Sequence, residues 1–387
     1  MAQSKKVLWT LGLVALSGVA VTATVQAKQP GASPWTKHEN LPTVVGADGQ
    51  DHTATCSGYP GTDPKFSFWE KRGTSKNLVV FFEGGGACWD AYSCSYPNQF
   101  YTSAIPSNAD PANYEGIFKL DNAANPVKDW TFVYIPYCTG DVHVGSADKT
   151  YYPGLTLHHR GYDNFMVVLD WIRNHVDAPK NILVTGSSAG GYGATAHFPW
   201  LAEAYPNAHM YVIADASQGV STTTWDTYGR VSWNPQLPQW IFGPPPTSAP
   251  GSEFLSRAAA TYPHAKVSQF TTAVDSVQVS FYGAMLALGY GPGVSCLTSP
   301  VVDWNQQMLG TLGTYASESK NFRYYVANGT YHTIMRSPGF YTENSAGIIY
   351  SNWVTAMLQN RGGTGGSGGG DWKDAACPTC LMPLTCP

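Results

Sequence analysis

Ser188 stands at the centre of Gly186-Ser187-Ser188-Ala189-Gly190, after the apolar run "NILVT" and before the small-residue stretch "AGGYGATAHFPWLAEAY". A serine hydroxyl attacks a carbonyl only when a base takes its proton, an acid orients that base, and donors receive the oxyanion. A G-x-S-x-G turn between a strand and a helix exposes the serine oxygen, and its glycines are small because the turn brings strand and helix into contact. A motif this short also arises by chance, so its surroundings must carry the reading.

Oxyanion donors have a source upstream. "LVVFFEGGGACWD" (78–90) puts three glycines at the end of a strand-like run, where backbone N–H groups can face a ligand. This loop, with the N–H of Ala189 after the serine, has the make-up of an oxyanion hole. The bland alternative for the glycines is a tight turn.

Six strand-like runs recur along the chain: 77–83, 130–138, 181–186, 209–215, 266–272 and 321–329. They are continuously apolar, β-branched or aromatic, as strands buried on both faces are. Between the second and third, "GYDNFMVVLDWIRNHV" spaces Phe165, Val168, Leu169, Ile172 and Val176 as one face of a helix. Alternating strands and helices predict an α/β fold with a mostly parallel central sheet, and helices on both faces. Residues 219–262, rich in Pro and Trp, interrupt the alternation and read as a lid-like insertion or a surface excursion.

The order of strands selects partners for the serine. In an α/β-hydrolase the acid follows the second strand after the nucleophile, and the histidine follows the last strand. That order picks Asp275 in "TTAVDSVQ" and His332 in "NGTYHTI". Asp215, at the end of the adjacent strand, is the rival acid, and His143, His158 and His159 are further residues that could line the site.

Together the stretches "FFEGGGACWD", "IPYCTGDVHVG", "TGSSAGGYG", "TTAVDSVQ" and "NGTYHTI" resemble, in order, the pectin acetylesterase and Notum family of serine esterases. The resemblance spans roughly residues 78–334. It implies an α/β-hydrolase fold, Ser188 as nucleophile, Asp275 as acid, His332 as base, and oxyanion donors at Gly85, Gly86 and Ala189. Trp89 and Tyr331, within the matching stretches, are candidate substrate contacts. The resemblance also implies hydrolysis of an ester, either acetyl on pectin or a longer fatty acyl on a protein. Gly86 stands where the Notum branch carries a tryptophan, which leaves the acyl pocket open.

Composition bounds the rest. The 387 residues are 43% hydrophobic, enough for one large core or two smaller ones. Residues 1–27 carry Lys5 and Lys6, an apolar run and a small-residue end, the pattern of a signal peptide for secretion or export to a periplasm. An N-terminal membrane anchor is the alternative, although the apolar run falls short of the ~20 residues a span needs. Without that segment, 20 basic residues face 26 acidic ones with no basic run, which argues against nucleic acid and anionic membranes as partners. Eight cysteines in an exported chain read as disulfides, with pairing open beyond a close Cys88–Cys94 loop.

Residues 28–360 form the expected catalytic domain, and 361–387 a Gly-rich linker with a Cys-rich tail tied by disulfides. Three tail sulfurs without a fourth ligand are a poor zinc site, so the expectation is no metal and no organic cofactor. The protein is expected to be a monomer acting on an ester, foremost an acetylated polysaccharide. Other acyl or aromatic esters are the enzymatic alternative, and a non-catalytic secreted binding module is the alternative from a different class.

Overall fold

The computed structural model describes residues 34–244, 249–290, 299–359 and 372–384. The segment read as a signal peptide, the Gly-rich linker, Cys296 and Cys386 lie outside the described residues. Among those described, nine strands form one sheet: β1 (Thr36–His38), β2 (Phe68–Lys71), β3 (Asn77–Phe82), β4 (Thr131–Ile135), β5 (Asn181–Ser187), β6 (His209–Asp215), β7 (Lys266–Thr272), β8 (Phe322–Ala327) and β9 (Ala375–Ala376). Their spatial order is β1-β2-β4-β3-β5-β6-β7-β8-β9. β1 and β2 pair antiparallel, β2 joins β4 antiparallel, and every later pair is parallel. This is the mostly parallel α/β-hydrolase sheet expected from the sequence.

Residues alternate between two cores along each central strand. Leu78, Val80 and Phe82 of β3 pack with α1 (Gly161–His175), α2 (Ala189–Ala204), α3 (Glu253–Thr261) and, further along the sheet, α5 (Pro300–Glu318). Val79 and Phe81 point the other way, into a core closed by α6 (Tyr350–Gln359) and the loops around Ile117 and Ile334. Both faces are dry, so both sets of side chains must be apolar, and the strand reads as an unbroken run. Each such side chain, fully buried, contributes about 1.5–3 kcal/mol. The helical spacing in α1 holds: Phe165, Val168, Leu169 and Ile172 are buried on the sheet.

Three strands of this sheet escaped the sequence reading: β1 at the edge and β2 beside it are short and lack a long apolar run, and β9 lies in the tail. The tail does not stand apart as a knot. Ala375 and Ala376 extend the sheet beside β8, Asp374 accepts the N–H of Tyr324, and Trp372 lies 6.2 Å from Trp353. Disulfides join Cys56 to Cys138, Cys88 to Cys94 and Cys377 to Cys380. No helix among the described residues is long and apolar enough to cross a membrane.

The insertion packs over the carboxyl ends of the strands. Trp225, Trp233, Leu237, Phe242 and Phe254 form their own buried cluster with Trp89 from the glycine loop and Met285 from α4 (Ser276–Ala287). The insertion is therefore a wall of the site described next.

Candidate active site

The turn from β5 into α2 is held open by its own strain. Ser188 has φ 59° and ψ −125°, a conformation that side-chain-bearing residues seldom adopt, and it follows the last residue of β5. Its N–H donates to the Asp215 carbonyl at 2.7 Å, and its carbonyl accepts from Gly191 at 2.9 Å. A side chain at Gly190 would collide with the Phe82 carbonyl, so the elbow packs onto β3 only with glycine there. No hydrogen bond to Ser188 Oγ is present among the described residues, and the side chain lines a pocket.

Asp275 caps α4. Its Oδ1 accepts from Val277 at 3.1 Å and Gln278 at 3.0 Å, and its Oδ2 accepts from the Gln278 amide at 3.0 Å. Asp275 is fully buried, and the positive end of the helix favours its carboxylate. His332, in the loop after β8, places Nδ1 at 2.9 and 2.8 Å from the two carboxylate oxygens. A carboxylate only accepts, so Nδ1 carries the proton and Nε2 is left as the acceptor. That nitrogen is buried and has no hydrogen-bond partner, and His332 lines the same pocket as Ser188.

The glycine loop completes the rim. Gly86 has φ +74°, and a side chain there would run into the Phe100 carbonyl, so the bend requires glycine. Among the described residues, the amides of Gly86 and Ala189 donate to no protein acceptor, and both residues line the pocket. Ala189 is the first residue of α2, where an N–H has no partner inside the helix. Gly85 does not line the pocket; its carbonyl accepts from Thr102 at 2.8 Å, and its Cα faces Tyr137 and Thr102. Trp89 lines the pocket with its indole nitrogen unpartnered. Tyr331 does not; its ring lies 6.2 Å from Phe270.

Asp215 has a different place from Asp275. Its buried carboxylate accepts from Ser187 Oγ at 2.6 Å, from Ile334 N at 3.0 and 3.1 Å, and from Met335 N at 2.9 Å. It ties β5 to the loop that carries His332. Burial pushes its carboxyl up to about 6, against the pull of these donors. Thr333, between His332 and the two held amides, sits at φ 69°, a costly conformation for a β-branched residue. A second tie runs from the same loop to the glycine loop, where Arg336 Nη1 meets Glu83 Oε1 at 2.5 Å.

None of the three rival histidines lines the pocket. His143 Nε2 donates to the Glu83 carbonyl at 2.8 Å, and burial drives the pKa of the imidazole down to about 4, so it is a neutral support beneath the glycine loop. His159 is buried between the Thr139 carbonyl and the Tyr151 hydroxyl, and His158 pairs with Asp148 near the surface. His159 also lies near Cys88 and Cys94, but those sulfurs are joined in a disulfide and are not thiolate ligands. The sequence reading missed Gln278, Glu83 and Arg336. For Gln278 a signal existed in Asp275-Ser-Val-Gln278, an acid and an amide at helix-capping spacing.

The pocket is open at its mouth, and its cavity volume is about 90 Å³. Its walls are mainly Trp89, Trp225, Trp233, Phe254, Phe281 and Met285. Trp89 meets Trp225 edge-on at 5.6 Å, and Trp225 meets Trp233 at 5.6 Å, so an aromatic wall runs from the glycine loop into the insertion.

Comparison with known proteins finds a family match over part of the chain. Residues 37–227 match the family model described as pectinacetylesterase, a stretch that contains the glycine loop and Ser188 and ends before Asp275. The chain is 28% identical over 153 residues to palmitoleoyl-protein carboxylesterase notum1a of Danio rerio, covering 37% of this chain and 29% of that protein. It is 25% identical over 156 residues to pectin acetylesterase 4 of Arabidopsis thaliana, covering 38% and 36%. The palmitoleoyl-protein carboxylesterase NOTUM of Schmidtea mediterranea is 33% identical over 125 residues, covering 31% and 23%. The chain thus spans about a third or less of the length of these curated relatives. By its sheet order, glycine loop and serine elbow, and by the match over residues 37–227, the chain is similar to the pectinacetylesterase family.

Proposed function

We propose that this protein is a serine esterase that cleaves carboxylic esters through an acyl-enzyme on Ser188. One observation carries the reading: the bare Nε2 of His332, oriented by Asp275, opens into the pocket lined by Ser188 and by the free amides of Gly86 and Ala189. Unliganded sites often leave nucleophile and base without a formed bond that tightens when substrate binds.

In this mechanism Ser188 Oγ attacks the ester carbonyl carbon and its proton passes to His332 Nε2. Asp275 holds the tautomer and stabilises the imidazolium. The oxyanion accepts from Gly86 and Ala189, each donor contributing about 3 kcal/mol in the transition state. The carbon–oxygen bond to the alcohol then breaks and His332 returns the proton to the leaving oxygen. Water repeats the sequence on the acyl-enzyme, with His332 again as base, and releases the acid.

The aromatic and apolar walls of the pocket support an acyl group larger than acetyl. Acetyl on a polysaccharide is the second reading, favoured by the pectinacetylesterase family match. We also propose export, because residues 1–27 read as a leader and disulfides such as Cys56–Cys138 persist in oxidising compartments.

The test is initial rates on p-nitrophenyl acetate, butyrate and octanoate for the mature protein and Ser188→Ala. The expected result is turnover by wild type, highest on butyrate or octanoate, and none above background in the variant. Equal rates in both proteins would overturn Ser188 as nucleophile. A steep fall from acetate to octanoate would return the substrate to the acetyl class.

A further inference from the structure

The acyl pocket is not uniformly apolar. Among its described lining residues Arg230 alone carries a permanent charge, and it is only 3% exposed. Its Nε donates to the Asp226 carbonyl at 3.2 Å and lies 3.5 Å from the Asp226 carboxylate. Its Nη2 donates to the Ala249 carbonyl, and the guanidinium lies 5.8 Å from the centre of the Phe254 ring. Guanidinium offers five N–H donors in a planar fork, and these bonds engage Nε and Nη2 while Nη1 takes part in none of them. None of these contacts involves Ser188, His332, Gly86 or Ala189, so Arg230 stands apart from the reacting atoms.

An alkyl chain filling this pocket would leave guanidinium donors facing hydrocarbon. Burying a donor without an acceptor costs about 1–3 kcal/mol, more when the group is charged. A pocket that selects plain fatty acyl chains has no use for that cost. Asp226 already balances the charge: its Oδ2 accepts from Ser221 at 2.6 Å, its Oδ1 is buried without a hydrogen bond, and burial raises its pKa. A second carboxylate beside it would meet repulsion. The complementary ligand group is therefore a neutral oxygen that only accepts.

We propose that Arg230 is a specificity-determining residue that receives a neutral carbonyl oxygen carried on the acyl chain, several bonds from the scissile ester. The substrate class is esters of oxo-substituted acids, or of acids whose chain contains a further ester carbonyl. This inference rests on the serine-esterase reading and refines which acyl groups that site takes. The remote bond raises kcat/KM, because a site built around a buried donor discriminates against an analogue that leaves the donor unpaired.

The experiment compares p-nitrophenyl octanoate with its 4-, 5-, 6- and 7-oxo analogues on the mature protein, on Ser188→Ala, and on the paired variant Asp226→Asn/Arg230→Gln. The paired change removes both charges together, so no lone buried charge remains. Expected is at least one oxo isomer with kcat/KM about tenfold above octanoate in wild type. In the paired variant that advantage falls within about twofold, while octanoate turnover persists. If wild type hydrolyses octanoate through Ser188 and no oxo isomer exceeds it, the Arg230 proposal is overturned and the esterase reading stands. An advantage that survives in the paired variant overturns it as well. If octanoate and every oxo analogue are inert while p-nitrophenyl acetate is turned over through Ser188, the Arg230 proposal is overturned and the esterase reading stands; if acetate is inert too, or Ser188→Ala retains full activity, the esterase reading itself fails. Should the paired variant not fold, Asp226→Asn/Arg230→Met takes its place, with the same loss of the oxo advantage expected.

Discussion

Asp215→Asn separates a carboxylate that holds the catalytic loop from one that orients the base. The carboxyl of Asp215 is raised from the ordinary 3.8 to about 6 because it is fully buried. The native state therefore binds a proton more tightly than the unfolded chain between these values. Stability contributed by this group falls as pH rises through that window, since ∂ΔG/∂pH follows the excess of protons on the unfolded state, here negative. About two pH units at 1.36 kcal/mol each give about 3 kcal/mol. Asparagine does not titrate, so the stability of wild type minus that of the variant should drop by about 3 kcal/mol between about pH 3.5 and about pH 7.5. All other groups are shared and cancel to first order. Urea unfolding followed by tryptophan fluorescence at the two pH values measures the difference. Asparagine keeps one acceptor for Ser187, Ile334 and Met335, so the His332 loop shifts only slightly, and kcat should fall about tenfold with KM unchanged. A stability difference that is flat with pH, or a kcat loss of 10³-fold or more, would refute this assignment.

The remaining predictions concern the groups nearest the reaction. Asp275→Asn should lower kcat by roughly 10⁴-fold with little change in KM, because the amide stabilises the wrong imidazole tautomer; labelling of Ser188 by a fluorophosphonate should slow in parallel, and undiminished labelling would exclude Asp275 as the orienting acid. Gly86→Ala should lower kcat by about 10²- to 10³-fold on p-nitrophenyl butyrate, since the added carbon at positive φ drives the loop away from the Phe100 carbonyl and misplaces one oxyanion donor. Wild-type kcat in a folded Gly86→Ala protein would remove Gly86 from that role.

Much of the scaffold was legible because its causes are local. Strands buried on both faces must be apolar throughout, and the six runs read from sequence coincide with β3 to β8 to within a few residues. The elbow was legible because steric contact at Gly190 admits only glycine, and Asp275 and His332 followed from strand order. The outer strands β1, β2 and β9 were not, since strands of two to four residues impose no pattern that periodicity can detect.

Which carboxylate serves the histidine is a different kind of question. Asp215 ends β6 and Asp275 follows β7 as the cap of α4, and the sequence alone weighed them by order along the chain. The tertiary structure separates their contacts: Asp275 meets His332 Nδ1, whereas Asp215 accepts the amides of Ile334 and Met335. Likewise, Trp89 carries no sign of a wall shared with Trp225 and Trp233, because more than a hundred residues of chain separate it from them. Local sterics and the dryness of a sheet core are written residue by residue, so the sequence determined the elbow and the strands. The walls of the pocket, the exclusion of Gly85 and Tyr331 from it, and the charge of Arg230 within it depend on distant segments meeting, and only the tertiary structure decided them.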